Sequence, residues 1–401
     1  MAAIQDRIIE HLRFLTEEVG CRPVGSDKNN DAAEYIENVF KKAGMEIEIQ
    51  EFAVPDWEAE EAYLLLNGER IDVRSNTFSS PCEVEAEIFS FCTIEELERA
   101  SDLEGSIAFL YGELSKENYV AKGFTIYNPE HHQKVIRLLE QKNPAAVITI
   151  RLEKQSDSPI FNDWDFALPS VTIRPETGLR VMNGSWAKLV IKSKRNPGTT
   201  KNVIGRVKGS RRERIILIAH YDSVFHTPGA FDNASGVSLL LMLAEEIAKQ
   251  KYLPVSFEFI AFSSEEYLGL GDQVYLRKQD EGFQNVITVM NFDGIGQKLG
   301  TNNITLMAGS AELENQLKTI KERFPAVHWT KPWYESNHTT FVLQGVPSIP
   351  FSCAGVADLL HTPDDQMRWI SSEKMDEVYR LAHSVMDVLQ DKNADWTRGS
   401  Q

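Results

Sequence analysis

The sequence predicts an α/β protein built on a mostly parallel mixed sheet and carrying an inserted β-rich domain. Three observations support this. From Arg195 onward, continuous apolar and β-branched runs alternate with helical periodicity. Histidines and acids stand at the C-terminal ends of those runs, where a parallel sheet gathers residues distant in sequence into one crevice. Between Pro55 and Arg195 the texture changes to short strands and turns rich in Glu and Ser, without strand–helix alternation. The expected division is a main domain in two parts, 1–54 and 196–401, around an insertion at 55–195.

The N-terminal segment places Ile8, Ile9, Leu12, Leu15 and Val19 on one helical face. Arg22-Pro-Val-Gly-Ser26 leads into an amphipathic segment through Lys42 and then Gly44-Met-Glu-Ile-Glu-Ile-Gln, a strand. Inside the insertion, 103–111, 145–150 and 168–173 read as strands. His131-His132 lies in Asn128-Pro-Glu-His-His-Gln-Lys, and with no further ligand nearby it reads as a surface pair at a helix start. The one dense basic stretch, 208–214, reads as a solvated hairpin. Next come a buried strand at 214–219, with His220 as the first residue beyond it, and a helix at 235–249 striped by Val237, Leu240, Leu241, Ala244 and Ile247. Strands at 255–262 and 286–292 deliver Glu265-Glu266 and Asp293, and a further strand at 346–351 precedes Cys353.

At 401 residues, 42% hydrophobic and 25% charged, the chain can bury a large core and form two domains. A net charge of −17 opposes nucleic-acid binding, because phosphates are repelled. There is no basic segment followed by an apolar one at the start, nor a run of about eighteen apolar residues, so a cytoplasmic protein without membrane association is expected. Four cysteines in a chain this long fit a reducing compartment. Cys82 and Cys92 are close enough to pair in an exported protein, but free thiols are the expectation. Oligomeric state is not readable.

The chemistry lies in His220-Tyr-Asp222, Asp232-Asn233, Glu265-Glu266, Asp293-Gly294 and His361-Thr-Pro. Two histidines and three carboxylates can hold two borderline metal ions and leave one further carboxylate to move a proton. The strings LIAHYDSV, GAFDNASGV, AFSSEEYLGLG, VMNFDGIG, SNHTTFVLQGVPSIPF and LLHTPDD resemble, in order, those of the M28 family of zinc metallopeptidases. The resemblance implies a three-layer zinc-peptidase fold and two Zn2+ ions, with Co2+ or Mn2+ also admissible at such N/O sites. It puts the bridging carboxylate at Asp232, His220 and Asp293 on one ion, and Glu266 and His361 on the other. Asp222 is suited to accept a ring N–H of a liganding histidine or to brace the site. Glu265 is the expected general base. The Asp232–Asn233 bond is implied to be cis.

His338 occupies the place from which relatives often aim a donor at the oxyanion, and a structural histidine is the competing reading. The chain departs from the family here, with Ser336-Asn337-His338 where many relatives read Ser-Asp-His. The strands of the insertion resemble those of a protease-associated domain, whose expected role is to wall the cleft. His226, in a second His-Thr-Pro, is expected at the rim. His328, Trp329, Trp333 and Tyr334 suit either an aromatic substrate wall or loop packing.

The resulting expectation is an aminopeptidase acting on peptides with a free N-terminus, the α-amine being anchored by an acid such as Glu335 or Asp358. A carboxypeptidase or dipeptidase of the same superfamily needs a basic residue for the substrate carboxylate. A glutaminyl cyclase-like acyl transferase is expected to need one metal, and a catalytically dead binding protein to have lost ligands.

Overall fold

The computed structural model describes residues 2–124, 128–152, 158–181, 185–267, 269–279 and 282–398; Leu268 of AFSSEEYLGLG lies outside them. The chain divides into two compact units, Met1–Val54 with Gly198–Gln401, and Pro55–Pro197. It passes between them within two long strands, Glu46–Leu66 and Trp186–Val207.

In the first unit, Ser348–Ala354, Val286–Phe292, Arg214–His220 and Ser256–Phe262 are successive parallel neighbours. Thr301–Ile304 pairs antiparallel with Ser348–Ala354 on one side, and residues 203–207 pair antiparallel with Ser256–Phe262 on the other. The sheet is therefore mixed and mostly parallel. Alternation of side chains sorts the strands onto two apolar layers. Ile215, Leu217, Ala219, Phe257 and Phe259 pack with the helices Ala2–Arg13, Asp27–Lys42, Ser235–Ile247 and Ser372–Leu389. Ile216, Ile218, Ile260 and Phe262 pack on the opposite face with Tyr275 and Phe341, from the helices Leu270–Arg277 and His338–Val342. This is a three-layer α/β arrangement.

The register places Phe262 beside His220 and Asn291 beside Ile218, so the strands end nearly level and their outgoing loops share one rim. His220 is the last residue of its strand, one position earlier in the architecture than the sequence suggests. The predicted stripe on Ser235–Ile247 is buried, but so are Leu239, Met242 and Leu243, which makes this helix an interior element whose charged residues, Glu245 and Glu246, lie in its last turn. The 208–214 stretch is not a hairpin, because its flanking strands pair with Ser256–Phe262 from either side rather than with each other. It is tethered by Arg211, whose Nη2 donates to Gln390 O at 2.7 Å and Lys392 O at 2.8 Å.

The second unit departs from the expected strand-and-turn texture. Cys82–Phe91, Ile107–Leu110, Ala146–Ile150 and Ser170–Ile173 are parallel neighbours, interleaved with the helices Ile94–Arg99 and Glu130–Lys142. Ile107, Phe109 and Ile148 face one apolar layer; Ala108, Leu110 and Val147 face the other with Leu97, Val135, Ile136 and Leu139. Ile107–Leu110, Ala146–Ile150 and Ser170–Ile173 are short and wholly buried, and Glu130–Lys142 opens with five polar residues, so the alternation is masked in the sequence. Cys82 and Cys92 are free. No helix among the described residues is long and apolar enough to cross a membrane.

Candidate active site

The level strand ends bring the predicted residues together in the first unit. His220 Nε2 lies 3.2 Å from Asp232 Oδ1 and 3.4 Å from Asp293 Oδ1. His361 Nε2 lies 3.1 Å from Asp232 Oδ2 and 3.2 Å from Glu266 Oε2. Each oxygen of Asp232 thus faces its own histidine–carboxylate pair. His220 forms the floor, its side chain 2% exposed, and His361 the mouth, at 54%. Glu265 Oε2 is 4.0 Å from His220 Nε2.

Asp222 braces this centre from below. Its Oδ1 accepts the backbone N–H of Glu265 and its Oδ2 that of Glu266, both at 3.2 Å. The same Oδ1 stands 3.6 Å from His220 Nδ1, beyond hydrogen-bond length. The Asp232–Asn233 peptide bond is cis. Asn233 ties this bend to the neighbouring strand: its Oδ1 accepts from Gly236 and Gly294 N–H (3.0 and 3.2 Å), and its Nδ2 donates to Phe292 O (2.9 Å).

The electrostatics are those of crowded acids around two imidazoles. Burial, with Asp293, Glu266 and Asp232 adding to it, pushes the Glu265 carboxyl well above its usual range. Glu266 is pushed up to about 7 by burial and then by Asp232. Burial opposes ionisation of Asp232 too, but His220 and His361 hold its carboxyl well below the usual range. Burial opposes the charged form of His220, yet Glu265 and Asp293 lead the acids that raise it well above the usual value; His361 is raised chiefly by Glu266. Divalent cations fit this donor set. Bound there, they would supply the positive charge that otherwise falls to imidazolium and carboxyl protons, and Glu266 Oε1, buried without a hydrogen bond, is a donor atom without a partner.

His338 stands differently from its expected role as an oxyanion donor. It is fully buried, its Nε2 donates to Trp333 O at 2.7 Å, and Asn291 Nδ2 lies 3.0 Å from Nδ1. Both nitrogens are engaged, and burial lowers its pKa, so in this arrangement no ring N–H is left for a substrate oxygen. Asn337, where relatives carry Asp, donates from Nδ2 to Asp272 Oδ1 at 2.7 Å. Thr340 donates to the other oxygen at 2.8 Å. A carboxylate at 337 would face the buried Asp272 directly, and the amide removes that conflict.

Of the other sequence candidates, His226, Glu335 and Asp358 are exposed. Glu335 Oε2 accepts the N–H of Tyr334 at 2.9 Å. In the second unit, His131-His132 does have a partner. Glu117 Oε1 lies 3.1 Å from His131 Nε2 and 3.4 Å from His132 Nε2, and His132 is buried rather than a surface residue. Val120 N–H points at His132 Nδ1 at 3.2 Å, which leaves the ring proton on Nε2, facing Glu117. With that proton His132 has no lone pair to offer a cation, whereas Glu117 and His131, within reach of the same point, keep theirs. Sequence reasoning missed Glu117 because it sits in a loop 14 residues before His131, at no helical or strand spacing from the pair.

Sequence reasoning also missed Arg22 and Asp365, which hold the backbone of residues 228–232, the segment that ends at Asp232. Their visible signals are an arginine before Pro-Val-Gly and the second acid of LLHTPDD.

A three-layer α/β fold with two histidines and several carboxylates converging at parallel strand ends defines a metal-dependent hydrolase. Residues 202–386 match Peptidase family M28. Aminopeptidase YwaD of Bacillus subtilis is 25% identical over 398 residues, spanning 93% of this chain and 82% of its own. Among solved structures, BSAP, a zinc aminopeptidase from Bacillus subtilis, superposes with a TM-score of 0.78 at 21% identity over 98% of each chain. The aminopeptidase from Aneurinibacillus sp. strain AM-1 gives 0.75 at 23% identity, over 99% of this chain and 95% of that one. The family match spans under half of the chain; together with the aminopeptidase relative it indicates a hydrolase, a peptidase.

Proposed function

We propose that the protein is a di-zinc aminopeptidase that removes residues from the free N-terminus of peptides. The observation that carries this reading is Asp232, whose two oxygens each face a separate histidine–carboxylate pair at 3.1–3.2 Å on the histidine side. His220 and Asp293 would hold one ion, Glu266 and His361 the other, with Asp232 shared between them. When bound, zinc polarises the scissile carbonyl and lowers the pKa of water toward about 7. Glu265 takes the proton of the attacking water and returns it to the leaving amine. Asp222 keeps Glu265 and Glu266 apart in function by fixing the backbone of both, so one side chain faces a cation and the other the reacting water.

That the relatives are aminopeptidases supports removal of N-terminal residues. A carboxypeptidase or a one-metal cyclase-like transferase has no comparable support. Hydrolysis of a panel of aminoacyl anilides and their N-acetylated counterparts tests the reading. Cleavage confined to free-amine substrates is expected; indifference to acetylation overturns it. The Pro55–Pro197 unit is read as a protease-associated-like domain, supported by its parallel strands at 107–110, 146–150 and 170–173.

A further inference from the structure

The segment 228–232, which ends at Asp232, is held by its backbone from two sides. On one side lies Arg22, fully buried. Its Nε donates to Tyr221 O at 2.6 Å, its Nη2 to Gly229 O at 2.8 Å, and its Nη1 to Pro228 O and to Gly20 O, the latter at 3.1 Å. Nη1 also lies 3.4 Å from Leu15 O. Among the described residues Arg22 forms no ion pair; carbonyls accept from all three of its nitrogens. On the other side lies Asp365, also fully buried. Its backbone carbonyl accepts Ala230 N–H at 3.3 Å, its Oδ1 Phe231 N–H at 2.7 Å, and its Oδ2 Asp232 N–H at 3.0 Å.

Two consecutive carbonyls therefore end on a buried cation, and the next three N–H groups end on one aspartate. The charges match the peptide groups they meet: a guanidinium satisfies C=O and a carboxylate satisfies N–H. The fit is tight. Gly229 has φ +57°, and a Cβ there would meet Asp232 O at 2.4 Å and Arg22 Nη2 at 3.2 Å. Each clamp residue also reaches a histidine-bearing segment. Arg22 holds the carbonyl of Tyr221, next to His220, and Asp365 is four residues beyond His361.

We propose that Arg22 and Asp365 are a pair of positioning residues that fix the spacing of His220, Asp232 and His361 before any cation arrives. The inference rests on reading Asp232 as the shared ligand. Neither residue touches substrate or reacting atoms; both act through the backbone of the 228–232 segment. A planar five-donor fork is needed to serve carbonyls from several segments at once, so lysine is not an equivalent replacement. Asparagine at 365 keeps the shape of the aspartate but turns one acceptor into a donor facing an N–H.

The test has two arms. In wild-type protein stripped of zinc with a chelator, hydrogen exchange is followed on peptides covering 229–236. The amides of Ala230, Phe231 and Asp232 should exchange at least about tenfold more slowly than exposed loop amides. In parallel, zinc affinity of wild type, Asp365→Asn and Arg22→Lys is measured by competition with a chromophoric chelator, with melting of the zinc-free proteins recorded alongside. Folded variants should bind zinc about 10–100-fold more weakly, and excess zinc should recover part of the lost kcat. A role in stability alone would lower the melting temperature and leave zinc affinity unchanged.

Unprotected amides in zinc-free wild type, or an unchanged zinc affinity in either folded variant, overturns the proposal. The exchange arm decides it even where both variants fail to fold. Wild type that takes up no zinc refutes the di-zinc reading instead, and that shows in the wild-type titration before any variant is compared.

Discussion

Asp222 Oδ1 accepts the backbone N–H of Glu265 at 3.2 Å from a position with no solvent exposure. Its second oxygen does the same for Glu266, so one buried carboxylate sets the turn that presents two acids of different proposed duty. Asp222→Ala leaves two partly buried N–H groups without acceptors, at about 1–3 kcal/mol each. Turnover should fall about 10–100-fold, accompanied by a lower melting temperature. Wild-type kcat in the folded variant would remove the bracing role.

Glu265→Gln should reduce kcat by about 10²–10⁴-fold while zinc per chain stays at the wild-type level, because the amide keeps the shape but cannot take a proton. Steady-state kinetics and elemental analysis on the same preparation check it. Retained turnover would reassign the base; lost zinc would make Glu265 a ligand.

His338 is held from both nitrogens, by Trp333 O and Asn291 Nδ2. His338→Ala should therefore cost about 2 kcal/mol of stability through the emptied volume and the stranded partners, with kcat retained. A fall in kcat of about 10²–10³-fold at unchanged melting temperature would restore the oxyanion-donor role.

Asp272 yields a prediction in pH. Burial pushes its carboxyl up to about 7, against an ordinary value of 3.8. The folded state therefore holds a proton that the unfolded chain releases. The associated stability is fully present below the unfolded value, falls as pH rises, and is lost as pH passes through about 7. Unfolding midpoints between pH 4 and 8 should decline more steeply in wild type than in Asp272→Asn. Parallel curves would contradict it.

Much of the centre was legible because strand ends are legible. Continuous apolar runs stop at His220, before Glu265-Glu266 and at Asp293, and parallel pairing brings those stops level. The unread part consists of groups whose partners are backbone atoms. Arg22 carries a charge that sequence reasoning assigns to solvent, yet it is buried among carbonyls that no side-chain pattern announces. Asp365 reads as one more acid in a turn. Asp272 explains Asn337 only once the helix Leu270–Arg277 and the N-cap of His338–Val342 are seen to meet. In the second unit, strands of four or five buried residues are too short for periodicity to separate parallel pairing from a β-rich meander.

The most direct measurement is zinc per chain in purified wild type and in Asp232→Asn, by elemental analysis after dialysis against metal-free buffer. The account predicts two equivalents in wild type, and a loss that touches both ions in the variant, since each oxygen of Asp232 faces a separate histidine. A single equivalent in wild type, or a variant that still holds two, would contradict it.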